Sequence, residues 1–522
     1  MKDIKFEKQF FSTPIYYVNA KPHLGHAYTS IAADVSIRFK QMEGCETFLL
    51  TGTDEHGDKI VQAAENQKTT PEKYAARVSK LFQDLLPTLN VENNYFIRTT
   101  DPAHVKIVQE ILLKIYNDED IYFSSYEGLY CFGCERFYQE RELQDGKCPD
   151  HGTTPEVIKE SNYFFKMSKY QEWLINHIKT NPDFIRPEQY KNEILSFLKE
   201  PLEDLCISRP KTRLTWGITL PFDEKYVTYV WFDALVNYIS ALGYPDGELF
   251  RQFWPGARHF VAKDIIKPHG IYWPIMLKAA GIEIYQGLNV HGFWNVKGSK
   301  MSKSIGNVTN PLEVIDAYGL DQFRYFLMRE MVFGLDANFT QKSIVSRINS
   351  DLANDLGNLF SRVLSMNHRY FQGKVKGADP KIEKEKSLSL ALEAESAIDG
   401  FQKAMSVCAF SKGLEAVWQF ISTMNKYIDT NAPWTLAKDE ANIDELATIL
   451  YNLMEGLRVV TCLIYPIMPQ TSLKMQKTLC IQRDGKQVYT MEEIRLWGQI
   501  KKETIIAKPG ILFPRIDTGK KK

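Results

Sequence analysis

The chain has 522 residues, 44% hydrophobic and 25% charged, with 64 acidic residues balancing 64 basic ones. That length exceeds one ordinary core and asks for two or more domains; the composition excludes a disordered chain; and zero net charge excludes a wholly basic nucleic-acid coat, so any RNA site is a local patch. No apolar run reads as a membrane span, and the start MKDIKFEKQFF lacks a signal peptide's apolar core, while its Asp3 and Glu7 speak against a transit peptide.

Residues 10–18 read as a strand broken at Pro14. A helix is expected from about Ala27, with Ile31, Val35, Phe39 and Met42 on one face. Residues 47–51 form a second strand. Thr70 and Pro71 open another helix as N-cap and first-turn proline, with the stripe Tyr74, Val78, Leu81 and Leu85. This alternation predicts a parallel α/β sheet. It breaks near Ile121, where a Cys- and Gly-rich stretch runs to about Pro155 and mixed helix and strand follow to about Pro221. It resumes with a strand at 227–232, a helix from Asp233, a strand at 259–262, a further helix and a strand at 288–291. We read one sheet domain interrupted by an insertion. From about Ser343 the pattern is nearly all helical, with few strand signals before the last residues. There is no internal repeat, and the closing GKKK is expected to be a solvated tail.

Five motifs carry chemistry. His23-Leu24-Gly25-His26 follows a strand and starts a helix, where free N–H groups and the helix dipole favour a polyphosphate. Gly25 permits close approach, and two imidazoles one turn apart can donate to phosphate oxygens as charge builds. Read alone, they are also ordinary capping histidines. Lys300-Met301-Ser302-Lys303-Ser304 lies between Gly298 and Gly306 beyond the last sheet strand. Two ammonium groups on such a loop can clamp a triphosphate and neutralise departing pyrophosphate; read alone, the run is a solvated basic loop. Eight cysteines in so long a chain make no disulfide scaffold. Three of them cluster as Cys131-x2-Cys134 and Cys148-x2-His151, which suits tetrahedral Zn2+ with three thiolates and one imidazole. All four positions are filled, so the zinc is expected to be structural; clustered cysteines in a reducing compartment read as metal ligands, and the cytoplasm is the default compartment. Trp231, Ala234, Leu235 and Tyr238 share one helical face, which for an arbitrary aromatic stripe means core. Asn358 and Arg362 are four apart on one face, and Trp434 follows Pro433 at a helix break; tryptophan can stack on an unpaired base while asparagine and arginine bond its edges.

HLGH together with KMSKS resembles the class I aminoacyl-tRNA synthetases. The segments TPIYYVNAKPHLGH, LTGTDEHG, YVWFDALVNYI, NKYIDTNAPW and LFPRI narrow the resemblance to the methionyl-tRNA synthetase family, in the family's order and over nearly the whole chain. The resemblance implies a Rossmann-like catalytic domain in two halves, 1–120 and 223–292, split by a zinc-bearing insertion at 121–222. A KMSKS-bearing linking segment at 293–342 and an α-helical anticodon-binding domain with its tail at 343–522 follow. It implies activation of methionine by Mg-ATP to methionyl-adenylate, then transfer to tRNA(Met), the initiator included. His23, His26, Lys300 and Lys303 would be catalytic, and with Gly25 and Asp264 would hold ATP. Ile15, Tyr17, Asp54, Trp231, Ala234, Leu235, Tyr238 and His269 would bind methionine, and Asn358, Arg362 and Trp434 would read the CAU anticodon. One departure bears on Asp264: Ala262 stands before Lys263 where relatives often carry glycine. An insertion of about 100 residues is too short for a separate editing domain, so rejection of homocysteine falls to the pocket, where a missing methylene is worth only ~1–3 kcal/mol. The chain ends soon after LFPRI, so a monomer is expected. The competing readings are a sister enzyme for cysteine or an aliphatic amino acid, and a non-catalytic RNA-binding protein; amino-acid-dependent pyrophosphate exchange separates them.

Overall fold

Pro14 has no N–H to give to a ladder, so the first strand divides around it into β1 (Lys8–Ser12) and β2 (Tyr16–Tyr17). The structure, a computed structural model, describes residues 8–131, 136–138, 140–149, 152–296, 299–300, 309–385, 389–483 and 488–517. Cys134, His151, Met301, Ser302, Lys303 and Ser304 lie outside these residues, and of Lys300 only the backbone is described. The chain up to Pro22 together with Phe48–Val290 makes one compact unit, and His23–Thr47 with the chain from His291 makes a second.

In the first unit β3 (Glu46–Asp54), β4 (Tyr95–Arg98), β5 (Ile185–Arg186), β6 (Ala257–Ala262) and β7 (Gly287–His291) join β1 and β2 in one seven-stranded sheet. β1 runs parallel to β6 from Phe10↔Ala257 to Ser12↔His259, β7 runs parallel to β5, and β2 and β4 both run parallel to β3. β7 is buried along its whole length, Asn289 and His291 included. The helix Pro71–Thr88 starts as its sequence says: the Thr70 hydroxyl accepts the Lys73 N–H, and Pro71 fills the first turn. Its buried stripe differs at one place. Leu81 is exposed and Phe82 is buried instead, because that larger ring stacks on Tyr16 with centroids 5.3 Å apart.

Apart from β5, which the insertion contributes to the parallel sheet, the strands of the insertion pair antiparallel. Ile121–Cys131 pairs with Glu156–Phe165 from Ile121↔Phe165 to Tyr130↔Glu156, and Arg136–Tyr138 and Leu205–Cys206 complete a four-stranded sheet. The strand expected at 227–232 is displaced. It spans Asp223–Thr228, pairs antiparallel with Ser208–Pro210 in a separate three-stranded sheet, and gives way to a helix at Val230–Leu235. Val227 and Thr228 favour a strand, but the ladder stops when the Tyr229 N–H reaches Ile207 O and Tyr229 becomes the N-cap. After β5 the next strand of the parallel sheet is β6.

In the second unit α1 (Leu24–Met42) starts three residues earlier than its apolar stripe suggests, because His23 caps it. Buried ion pairs hold its middle. Arg38 Nε and Arg324 Nη2 lie 2.9 and 2.6 Å from Asp34 Oδ2, and Arg324 also donates to the carbonyls of Pro466 and Ile467. A small sheet of Trp294–Val296, Ser299–Lys300 and Ala337–Phe339 precedes the helical part. There a helix from Gln341 continues through a π-helical stretch, Ile348–Gly357, into α2 (Asn358–Phe371). The helices Leu390–Met405, Phe410–Asn431 and Ile443–Leu463 follow. One helix, Glu440–Leu463, is long and apolar enough to cross a membrane by length and composition, contrary to the sequence expectation, but its apolar 18-residue window is buried inside the protein as part of a core helix. The closing segment forms no strand among the described residues; Asn349 pins it, its side chain bonding both the N–H and the carbonyl of Ile516 at 2.8 and 3.0 Å.

Candidate active site

In the first unit the candidate methionine residues gather at the carboxyl ends of the parallel strands, where open α/β sheets bind ligands. Tyr17 in β2 is registered against Asp54, the last residue of β3, and Asp54 is buried. Asp264 follows the end of β6 and is exposed. Leu235 and Tyr238 belong to the main core, Ala234 is buried beside them, and Ile15 and Trp231 lie half-buried on its margin. Tyr238 and His269 are bonded. His269 Nδ1 is 2.9 Å from the carbonyl of Ile265, an acceptor only, so it carries the proton, and Nε2 accepts the Tyr238 hydroxyl at 2.7 Å. Burial lowers the His269 pKa to about 4, which keeps the ring neutral. The Trp231 indole stands edge-on to His269, 6.1 Å between centroids. The result is a neutral, ring-rich wall, apolar but for one hydroxyl and one imidazole, and such surroundings suit a polarisable thioether.

Beside it lies a charged cluster that sequence reasoning missed. Both oxygens of Asp233 are held, one by His56 Nδ1 at 2.7 Å and the other by His104 Nε2 at 2.9 Å, and all three residues are buried. Burial alone pushes the Asp233 carboxyl up, but the imidazoles of His56 and then His104 outweigh it and hold the group below the usual carboxylate range. His104 Nδ1 sits 2.8 Å from the Ser240 hydroxyl. Between Asp54 and His56, the wholly buried Glu55 takes a two-pronged grip from Arg98 at 2.7 and 2.8 Å and a further bond from Thr100. The only prior signal was the run of polar residues in TDEHG; Arg98, which grips Glu55, and Asp233, which His56 holds, lie 43 and 177 residues away.

In the second unit His23 and His26 form a reciprocal cap at the start of α1. Gly25 N–H donates to His23 Nδ1 and His23 N–H donates to His26 Nδ1, each at 3.1 Å, and the rings stack 3.7 Å apart. Both Nδ1 atoms therefore accept, which puts the ring proton of each neutral imidazole on Nε2, the donor an oxyanion needs. Dense packing, then the adjacent His23, holds His26 well below its ordinary pKa. A Cβ on Gly25 would stand 3.0 Å from His23 Cε1, so glycine is what lets this ring fold back over the backbone. The chain re-enters beside this cap after the KMSKS segment, Leu24 N–H donating to Thr309 O at 3.2 Å. Lys300 lies in the two-residue strand Ser299–Lys300, paired antiparallel with Trp294–Val296.

Of the four zinc candidates, Cys131 and Cys148 are both buried in one small cluster with Tyr138, away from the main core. The Gly152 N–H closes a tight turn on Cys148 O at 2.8 Å, with Gly152 in the left-handed region. Two buried thiols in one cluster, Cys131 at a strand end and Cys148 before the Gly152 bond, fit a structural zinc; no cluster of three or more metal ligands occurs among the described residues, Cys134 and His151 being outside them. In the helical part Asn358 is exposed, Arg362 bonds Asp429 at 3.1 Å, and Trp434 is 43% exposed. The helix Phe410–Asn431 stops at left-handed Ala432, and a new helical turn follows in which Pro433 is buried and Trp434 is exposed.

Residues 9–153 and 142–364 match the family described as tRNA synthetases class I (M), and residues 377–522 match the anticodon binding domain of methionyl tRNA ligase. The chain is 46% identical over 522 residues to the methionine–tRNA ligase of Clostridium acetobutylicum, covering 99% of this chain and 79% of that protein. It is 43% identical to that of Bacillus subtilis, covering 97% and 78%. Among solved structures, Mycobacterium tuberculosis methionyl-tRNA synthetase in complex with methionyl-adenylate superimposes with a TM-score of 0.91 at 38% identity, over 97% of this chain and all of that one. Its apo form gives 0.85 at 35% identity, over 99% and 100%.

Proposed function

The chain belongs to the class I methionyl-tRNA synthetase family, and on that premise we infer that it is a methionine–tRNA ligase. The observation that carries this is the match of both parts at nearly full length, catalytic and anticodon-binding. The carboxylate of methionine attacks the α-phosphate of ATP in line, pyrophosphate leaves, and the terminal ribose hydroxyl of tRNA(Met) then takes the methionyl group. No protein nucleophile is required, so the chain's work is positioning and charge stabilisation. Mg2+ entering with ATP would screen the phosphate charge.

The individual roles are proposals. Asp54 holds the substrate ammonium, while Trp231, Ala234, Leu235, Tyr238, His269, Ile15 and Tyr17 enclose the thioether. His23 and His26 donate Nε2–H to phosphate over the open backbone at Gly25. Lys300 and Lys303 draw off pyrophosphate, and Asp264 contacts the nucleotide. Asn358, Arg362 and Trp434 read the anticodon, which elongator and initiator tRNA(Met) share. The division of labour follows the boundaries set out from the sequence, and the cytoplasm, where thiols stay free, suits the described cysteines. We also propose one structural Zn2+ on Cys131, Cys134, Cys148 and His151. Metal analysis should find one zinc per chain, and zinc-free protein or a Cys131–Cys134 disulfide would remove that site.

Amino-acid-dependent ATP–pyrophosphate exchange tests the function. Methionine should support exchange, while cysteine, leucine, isoleucine and valine should not at equal concentration. Exchange with another of these in preference to methionine, or with none, would refute the assignment.

A further inference from the structure

We propose that His56, acting through the Asp233 carboxylate, is a positioning residue for methionine: it sets the spacing between the strand end that carries Asp54 and the helix face that carries Trp231. This rests on the reading of those two residues as methionine-binding.

The helix Val230–Leu235 has six residues and no side-chain cap, too little to hold its own place. Its anchorage comes from outside. Asp233 lies two residues after Trp231 and immediately before Ala234, and each of its oxygens is tied to a different element. His56, two residues past Asp54, supplies one bond at 2.7 Å; His104, in the helix Pro102–Asn117, supplies the other at 2.9 Å. The strand side is itself rigid, because Glu55 is gripped by Arg98, Thr53 and Thr100 while its carbonyl accepts the Trp216 indole N–H at 2.5 Å. His56 is thus the side chain that reaches from a fixed strand end to the polar side of a helix whose apolar residues Phe232 and Leu235 sit in the core. An apolar contact there would tolerate sliding, whereas a buried charge-assisted hydrogen bond does not.

The two imidazoles present different nitrogens to the carboxylate, and this makes a test that side-chain volume cannot mimic. An asparagine amide falls near the Nδ1 position of the histidine it replaces, and a glutamine amide near Nε2. At His56 the bonded atom is Nδ1, so His56→Asn should stay within about threefold of the wild-type methionine KM in pyrophosphate exchange, while His56→Gln should raise it about tenfold or more, the loss of one charge-assisted bond. At His104 the bonded atom is Nε2, so the order inverts: His104→Gln is tolerated and His104→Asn is not. ATP KM should stay within about twofold throughout, since the cluster orients the amino-acid side only. The same ranking of asparagine and glutamine at both positions would overturn the proposal, as would an unchanged methionine KM in all four variants or an ATP KM that rises in step. If one position gives no folded variant, the ranking at the other decides. Trp231→Ala, measured alongside, keeps the two ideas apart. An unchanged methionine KM in Trp231→Ala refutes the pocket itself; a raised one, with the histidine variants flat, refutes only the positioning.

Discussion

At the scale of single residues the molecule keeps several imidazoles neutral by burying them. His269 and His291 are each lowered to about 4 by desolvation, and His26 and His259 are lowered in the same direction. The sign of the consequence follows from proton counting. An exposed histidine in the unfolded chain has a pKa of about 6.5. Between about 6.5 and 4 the unfolded state therefore binds more protons than the folded one, and stability must fall as pH falls through that window. Each of the two rings contributes up to about 3 kcal/mol that is present above pH 6.5 and lost by pH 4. Thermal or urea unfolding at pH 7, 5.5 and 4.5 should show a steep acid slope, and His291→Gln should lose part of it. A flat profile would mean that the rings accept protons without unfolding. None of this burial was legible in the sequence, where the histidines in HLGH stood out but His104 and His259 did not. Their environment is made by partners such as Asp233 and Trp273, which local spacing does not announce.

At the scale of elements the legible features were those encoded within a few residues. The Thr70 cap with Pro71, the break at Pro14 and the short strands β6 and β7 depend on near neighbours alone, and each forms. What failed needed tertiary information: Leu81 lost its place to the Tyr16 stack, and Val227-Thr228 was drawn into a small antiparallel sheet. α1 shows both sides. Its apolar stripe placed the start near Ala27, while the HLGH motif placed it where it forms, at the His23 cap. Gly25→Ala tests whether that cap is catalytic. Alanine improves helix propensity by up to about 1 kcal/mol, and the displaced His23 cap costs about as much, so melting should hardly move. The new Cβ, 3.0 Å from His23 Cε1, must push the imidazole aside. Exchange kcat should then drop about 10- to 100-fold, a fraction of what losing a whole transition-state donor costs. Stability that falls while kcat holds would show that the paired histidines merely start a helix.

At the scale of the whole molecule the order of architectures was readable, an α/β sheet first and helices after, because periodicity changes along the chain. Which segments gather into one unit was not. α1 lies in sequence between two strands of the sheet, yet Asp34, Arg38 and Phe39 meet Arg324, Tyr465 and Phe401, partners hundreds of residues away. The same limit applied to Trp434. Its sequence neighbourhood allowed either a core tryptophan or a reader of an unpaired base, and the two differ in what removal does. A core tryptophan cut to alanine costs ~3–5 kcal/mol and takes every activity down with the fold. Trp434 is 43% exposed, so its removal empties no core, and the melting temperature should shift by less than about 2 °C. If it stacks on an anticodon base, worth ~1–3 kcal/mol, Trp434→Ala should lower kcat/KM for tRNA charging about ten- to a hundredfold. Methionine-dependent pyrophosphate exchange, which needs no tRNA, should stay near wild type. Charging, exchange and melting measured on this one variant decide the matter. Exchange that falls in parallel with charging would place Trp434 in the general framework, and unaltered charging would leave it an ordinary surface residue.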